Sequence, residues 1–225
     1  MIVVTGASRG LGRAIAERLI AKGLPVFGLA RHTDDLPFPA FACDVADAEQ
    51  VKAAARAVKA HTPVITGLVN AAGIASMNLA LTTPPSVVQR IVATNLMGTI
   101  HTCQSFGSML ARNKAGAIIN FSTIAVPLGL KGESVYVASK AGVEGFSRSF
   151  AREMGDFGVR VNCIAPGPIQ TDLLKNLPQA NIDRIIEQQI LRKPFEASAV
   201  CDVVELLLDE RSASLSGQVF HIGGA

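Results

Sequence analysis

The sequence predicts an α/β protein built on one doubly wound parallel sheet of about seven strands, with helices on both faces. Three observations predict it. Short apolar runs alternate with longer amphipathic ones along the whole chain. Most of the short runs do not alternate apolar and polar residues, as expected of strands covered on both faces. A glycine-rich turn, "TGASRGLG" (5–12), joins the first short run to the first long one.

The strand candidates are "IVVT" (2–5), "PVFGLA" (25–30), "PAFAC" (39–43), "ITGLVN" (65–70), "GAIINFS" (116–122), "VRVNCIA" (159–165) and "QVFHI" (218–222). Each is rich in β-branched or aromatic residues and bounded by Gly or Pro in most cases. Helical stretches fall near 10–22, 47–60, 85–113, 135–155 and 197–209. In the third, Val88, Ile91, Val92, Leu96, Ile100, Cys103, Phe106 and Leu110 recur at helical spacing. Asp47 and Ser198 suit N-caps, and Gly23 suits a C-terminal stop. Right-handed crossovers then leave the doubly wound sheet as the leading topology. The stretch 168–195 interrupts the alternation with a loop and a short helix carrying Ile182, Ile185, Ile186 and Ile190. Inserted after a strand's C-terminal end, it is placed to cover a ligand. The whole chain, 1–225, reads as a single domain.

Composition narrows the function. The formal net charge is +3 and 17% of residues are charged. No basic run of five or more occurs, so nucleic acid and membrane surfaces are not expected partners. Cys43, Cys103, Cys163 and Cys201 lack metal-ligand spacing, so they read as buried thiols and no metal is expected. No signal peptide or membrane span is apparent, which places the protein in the cytoplasm as an expectation.

The turn carries Gly6, Gly10 and Gly12, spaced G-x-x-x-G-x-G. Glycines there let backbone approach a pyrophosphate, and the helix behind offers unsatisfied N–H groups. Gly6, Ala7, Ser8, Arg9, Gly10, Leu11 and Gly12 are thus candidate cofactor residues of a Rossmann-type sheet. An NAD site places an acid roughly twenty residues beyond the loop. Here Ala30 and Arg31 stand there instead, and Arg9 lies in the loop itself. Two guanidiniums and no carboxylate suit a 2′-phosphate, so NADP(H) is the expected cofactor.

Tyr136, the only tyrosine, precedes Lys140 by one helical turn. An ammonium beside a phenol favours phenolate and would lower its pKa toward the working pH. Alone, such a pair is more often a solvated surface pair.

The motifs together resemble the short-chain dehydrogenase/reductase family from end to end. They are "TGASRGLG" (5–12), "CDV" (43–45), "NAAG" (70–73), "TNLMG" (94–98), "YVASK" (136–140) and "NCIAPGPIQTD" (162–172). Within the family the chain looks like the 3-oxoacyl-acyl-carrier-protein reductases. The resemblance implies Tyr136 as general acid/base, Lys140 as its tuning and ribose-orienting partner, and Asn95 as holder of a relay water through its backbone. It implies adenine contacts from Asp44 and Val45, and a cleft lined by Asn70, Ala71 and Gly73. Pro166, Gly167, Ile169 and Thr171 would meet the nicotinamide. The family serine, thirteen residues before the tyrosine, is Thr123 here. Ser122, next to it along a strand end, is expected to point to the other face.

The implied reaction is NADPH-dependent reduction of a ketone, with a 3-oxoacyl thioester favoured and its carrier, an acyl carrier protein or coenzyme A, left open. Lys114 occupies a carrier-docking position of the family, whereas Phe157 replaces the second cation. An NADP-dependent sugar or secondary-alcohol dehydrogenase, or a non-catalytic NADP(H) sensor, are the alternatives. Ala138, Ala141, Gly142, Gly145, Phe146 and Phe150 give the stretch 137–154 surplus apolar surface. With the family's habits this implies a homo-oligomer, a tetramer or a dimer.

Overall fold

A computed structural model describes residues 1–169 and 179–225. Seven parallel strands form one sheet in the order β3-β2-β1-β4-β5-β6-β7. They are β1 (Ile2–Thr5), β2 (Val26–Ala30), β3 (Ala40–Ala42), β4 (Gly67–Asn70), β5 (Gly116–Phe121), β6 (Val159–Pro166) and β7 (Val219–Ile222). The strand order reverses between β1 and β4, which pair directly, with Thr5 opposite Asn70. Ligands of open α/β sheets bind at such a switch point, beyond the C-terminal ends of the strands.

Neighbouring residues on each strand face opposite cores, and both cores are apolar. Val3, Leu68, Ile118 and Val161 join the cluster beneath the helices α2 (Ala48–His61), α4 (Gly98–Asn113) and α6 (Ser134–Gly155). Val4, Val69, Ile119 and Ile164 join the cluster beneath α1 (Gly10–Ala21) and α8 (Ala197–Leu208). The missing apolar–polar alternation therefore has a simple cause: neither face of the central strands meets water. Full burial of one such side chain contributes roughly 1.5–3 kcal/mol. The remaining α-helices are α3 (Pro85–Val92), α5 (Ala125–Leu128) and α7 (Gln179–Gln188).

The caps test the local reading. Asp47 accepts hydrogen bonds from the N–H groups of Glu49 and Gln50, as a capping carboxylate should. Gly23 follows α1 at φ 76°. Ser198 is not a cap. Glu196 holds that position, and Ser198 lies inside the first turn of α8. The stretch 85–113 is not one regular helix either. Between α3 and α4, Ala93–Met97 widens into a π-turn. Here the side chain of Asn95 bridges both backbone groups of Ile74 instead of lying along the helix. The hydroxyls of Thr99 and Thr102 bond back to carbonyls one turn earlier.

All four cysteines are buried and unpaired. Burial pushes the Cys43 and Cys163 thiols up to about 11, so they pack as small hydrophobes.

Candidate active site

Every predicted site residue that is described lies on, or just beyond, a strand or helix end at the C-terminal edge of the sheet, except Asn95, Tyr136 and Lys140, which reach it from helices. The glycine turn follows β1. Gly6 (φ 68°) and Gly10 (φ 56°) adopt left-handed backbone. A Cβ on Gly12 would overlap the Gly6 carbonyl, and one on Gly6 would come 2.9 Å from the Ala72 Cα. These close approaches bring α1 and the "NAAG" segment together. Arg9 holds the N-cap position of α1 without a capping side chain, and the first turn contains no acid. Its amides are therefore left to an anion, which fits a dinucleotide pyrophosphate. Ala7 is buried, with its N–H on the Leu29 carbonyl at 3.2 Å, and Leu11 packs on the core, so both support the turn from below. Ser8 is half-buried.

Arg9 and Arg31 are both exposed beyond the ends of adjacent strands, β1 and β2. Among the described residues neither makes an ion pair. Asp44 closes a tight turn, its carboxylate accepting from the Ala46 N–H at 3.0 Å. The Val45 side chain packs under Gly98, and its carbonyl meets His101 Nδ1 at 3.1 Å. An adenine contact by Val45 would therefore fall to the backbone.

Asn70 is the clearest departure in orientation. Its side chain faces the interior, not the cleft. Its Nδ2 donates to Asn120 Oδ1 at 2.8 Å, and its Oδ1 accepts from the Thr102 hydroxyl at 2.8 Å. Asn120 in turn donates to Ser147 at 2.8 Å. This buried polar network ties β4 and β5 to α4 and α6. Ala71 and Gly73 remain accessible at the strand end.

The catalytic corner is built from β5 and α6. Thr123 stands two residues beyond β5, its hydroxyl oxygen accepting from the Ala125 N–H at 3.2 Å, on the side from which it pulls the Tyr136 phenol's pKa down. Ser122 is turned the other way, donating to Glu144 Oε1 at 2.6 Å. One residue along an extended chain reverses the side-chain direction, so only one of the two hydroxyls can face the phenol. Lys140 is buried and donates to the Phe121 carbonyl at 2.8 Å. Gly73 stands beside it: a Cβ there would lie 3.5 Å from Lys140 Nζ and 3.4 Å from Asn95 Oδ1. Asn95 is linked to Tyr136 through Ser139, whose hydroxyl accepts from Asn95 Nδ2 at 3.1 Å and donates to the Tyr136 carbonyl at 2.7 Å. The Asn95 carbonyl accepts from the Thr99 hydroxyl at 2.8 Å.

The electrostatics of the corner are set by burial. Burial pushes the phenol up to about 12, the Glu133 carboxylate adds to the rise, and Thr123 pulls it back. The Lys140 ammonium is directed to the Phe121 carbonyl. Burial lowers Lys140 to about 8. Glu133, three residues before Tyr136, carries no motif signal, although its helical spacing could have flagged it.

Pro166 ends β6, and its carbonyl accepts from the Ile124 N–H at 3.1 Å. Gly167 donates to the Ile222 carbonyl at 3.1 Å, and Ile169 forms a lone parallel bridge with Phe195. Thr171 lies outside the described residues. Lys114 and Phe157 do not border the cleft in this chain. They precede β5 and β6, at the opposite edge of the sheet from Thr123. At the cleft side, Met77, Leu79, Lys131 and Arg184 border a shallow, open depression.

No cluster of three metal-ligating side chains occurs among the described residues. None of their helices is long and apolar enough to cross a membrane.

A glycine turn at the switch point, facing a Tyr–Lys pair one helical turn apart, defines an oxidoreductase of the short-chain type. The chain belongs to the short chain dehydrogenase family, whose profile matches residues 1–182. It is 32% identical over 235 residues to a 3-oxoacyl-[acyl-carrier-protein] reductase FabG of Staphylococcus epidermidis, covering 99% of this chain and 96% of that protein. It is 33% identical over 230 residues to the human 3-oxoacyl-[acyl-carrier-protein] reductase, covering 98% and 95%. Among solved structures, the ligand-free aldohexose dehydrogenase of Thermoplasma acidophilum superposes with a TM-score of 0.90 at 28% identity, covering 99% of this chain and 92% of that one.

Proposed function

We propose that the protein reduces a ketone to a secondary alcohol with NADPH, and that the ketone is a 3-oxoacyl thioester. The observation that carries this reading is the meeting of Tyr136 and Lys140, one turn apart on α6, with the C-terminal end of β5, where Lys140 donates to the Phe121 carbonyl at 2.8 Å and Thr123 follows two residues on. NADPH, when bound, supplies the hydride. The chain's own groups do the rest. A phenol near 12 is protonated at neutral pH, so Tyr136 stands ready to give its proton to the carbonyl oxygen. Thr123 donates a second hydrogen bond as charge grows on that oxygen. Lys140 and Asn95 hold the floor of the cleft around Gly73, where the nicotinamide ribose would rest.

NADPH is preferred to NADH in this reading because β2 ends at Ala30 with no acid, and Arg31 and Arg9 are exposed beside it. The residues assigned to the cofactor are those of the glycine turn, Arg31, Asp44, Ala71, Gly73, Tyr136, Lys140, Pro166, Gly167, Ile169 and Thr171, with Val45 and Asn70 through their backbone alone. The likeness to acyl-carrier-protein reductases favours the thioester, and the cations Lys131 and Arg184 beside apolar Met77 and Leu79 suit its phosphate-bearing arm. Assembly as a homo-oligomer through the outer faces of α4 and α6 belongs to the same reading, with Phe146 and Phe150 stacked there at 5.1 Å. So does a cytoplasmic location.

Steady-state NADPH consumption with an acetoacetyl acyl carrier protein, its coenzyme A analogue and simple ketones tests the proposal. Turnover of either thioester well above simple ketones supports it, and no thioester turnover refutes it. The likeness to an aldohexose dehydrogenase favours one second reading, an NADP-dependent sugar dehydrogenase. Aldose oxidation in place of thioester reduction would select it.

A further inference from the structure

Gln189, just beyond the end of α7, is 2% exposed. Its Nε2 donates to the Lys193 carbonyl at 3.2 Å. Its Oε1 is buried and has no hydrogen-bond partner among the described residues. Leaving a buried acceptor unpaired is unfavourable, and a native structure that keeps one calls for a reason. The oxygen is wedged between two turns. One is Pro166–Gly167, at the end of β6, and the other is Ile222–Gly223, at the end of β7. A Cβ on either Gly167 or Gly223 would overlap it. Residues without a side chain at 167 and 223 are what leave room for the oxygen.

The wedge is fixed from three sides. Leu191 donates to the Gly223 carbonyl at 2.8 Å, and Gly167 donates to the Ile222 carbonyl at 3.1 Å. Ile124 borders the same space: its Cδ1 would lie 3.3 Å from a Cβ added at Gly167. Ile124 directly follows Thr123 and donates to the Pro166 carbonyl at 3.1 Å. Displacing Gly167 therefore disturbs the catalytic corner.

We infer that Gln189 is a positioning residue: its carboxamide sets how far the Pro166–Gly167 turn stands from Thr123 and Tyr136, and so where the nicotinamide is seated. The inference rests on the proposed function, in which Gly167 borders the nicotinamide. Gln189 touches neither reactant and acts through Gly167.

The test compares wild type, Q189M and Q189A by melting temperature, by NADPH dissociation constant from fluorescence titration, and by kcat and KM for the ketone. Met conserves volume, removes the unpaired oxygen and places a bulkier methyl against the glycines. The expected result for Q189M is an unchanged or raised melting temperature, with NADPH bound more weakly and kcat lowered by roughly tenfold, within the range that a fraction of an ångström can cost. The ketone KM should move less than kcat. Should Q189M not fold, Q189A decides: it melts lower whatever the role of Gln189, but weakens NADPH only if the wedge positions the turn. Wild-type NADPH affinity and kcat in the folded variants would overturn the inference alone. A wild-type chain that binds no NADPH would overturn the proposed function as well.

Discussion

Ser122 donates its hydroxyl proton to Glu144 at 2.6 Å, deep between β5 and α6. Glu144 is 6% exposed and also accepts from Arg148 at 3.0 Å. This bond commits one of two adjacent hydroxyls to the interior. The other, on Thr123, is left to the phenol.

The two hydroxyls should therefore separate in function. Thr123→Val conserves shape and removes a hydrogen bond to the reacting oxygen. Its kcat should fall about 10²–10³-fold with the fold intact, the usual cost of losing one such donor. Ser122→Ala leaves a buried carboxylate with one partner fewer. It should lose about 1–3 kcal/mol of stability and little activity. Steady-state kinetics paired with urea denaturation distinguishes these outcomes, and the reverse pattern would move the substrate oxygen to Ser122.

The cofactor preference turns on the end of β2. Arg31→Ala should raise the NADPH KM roughly tenfold, the loss of one charge-assisted phosphate contact, while the NADH value stays unchanged. Placing Asp at position 30 (Ala30→Asp) should favour NADH by offering the ribose hydroxyls an acceptor. Equal kcat/KM for both cofactors in the wild type would remove the role given to Arg31.

The pH dependence of stability carries opposite signs for Lys140 and Tyr136. Lys140 has its pKa lowered from 10.5 to about 8, so between those values the unfolded chain binds the extra proton. Its contribution to stability should rise with pH across that window and be flat below it. Tyr136 has its pKa raised from 10.0 to about 12, so between those values the folded chain holds the extra proton. Its contribution should fall as pH rises there. Denaturant titrations of the wild type and Lys140→Met between pH 7 and 10 check the first, because the variant should lose the rise.

Much of the fold was legible because its signals are local. Runs such as "GAIINFS" are apolar on both faces and end at Gly or Pro, so strand ends fell within two residues of their observed places. The corner residues were legible because they sit where linear motifs meet strand ends. What stayed hidden depends on side-chain direction and on contacts distant in sequence. Nothing in "NAAG" says that Asn70 faces Asn120 and Thr102 instead of the cleft. The Lys140 ammonium reaches the Phe121 carbonyl, nineteen residues back, so its tuning of the phenol could not be judged from a spacing of four. Gln189 meets Gly167 only because β6 and β7 end side by side. The π-turn at Asn95 was hidden because its flanking apolar residues keep helical spacing.

The central claim is that the Tyr136 phenol supplies the proton to the reduced carbonyl. Tyr136→Phe removes one oxygen and keeps the ring. Single-turnover hydride transfer from NADPH in this variant, with cofactor binding and melting temperature measured alongside, tests the claim most directly. The account predicts a rate lower by about 10²–10⁴-fold with both controls near wild type. Hydride transfer at the wild-type rate would contradict it.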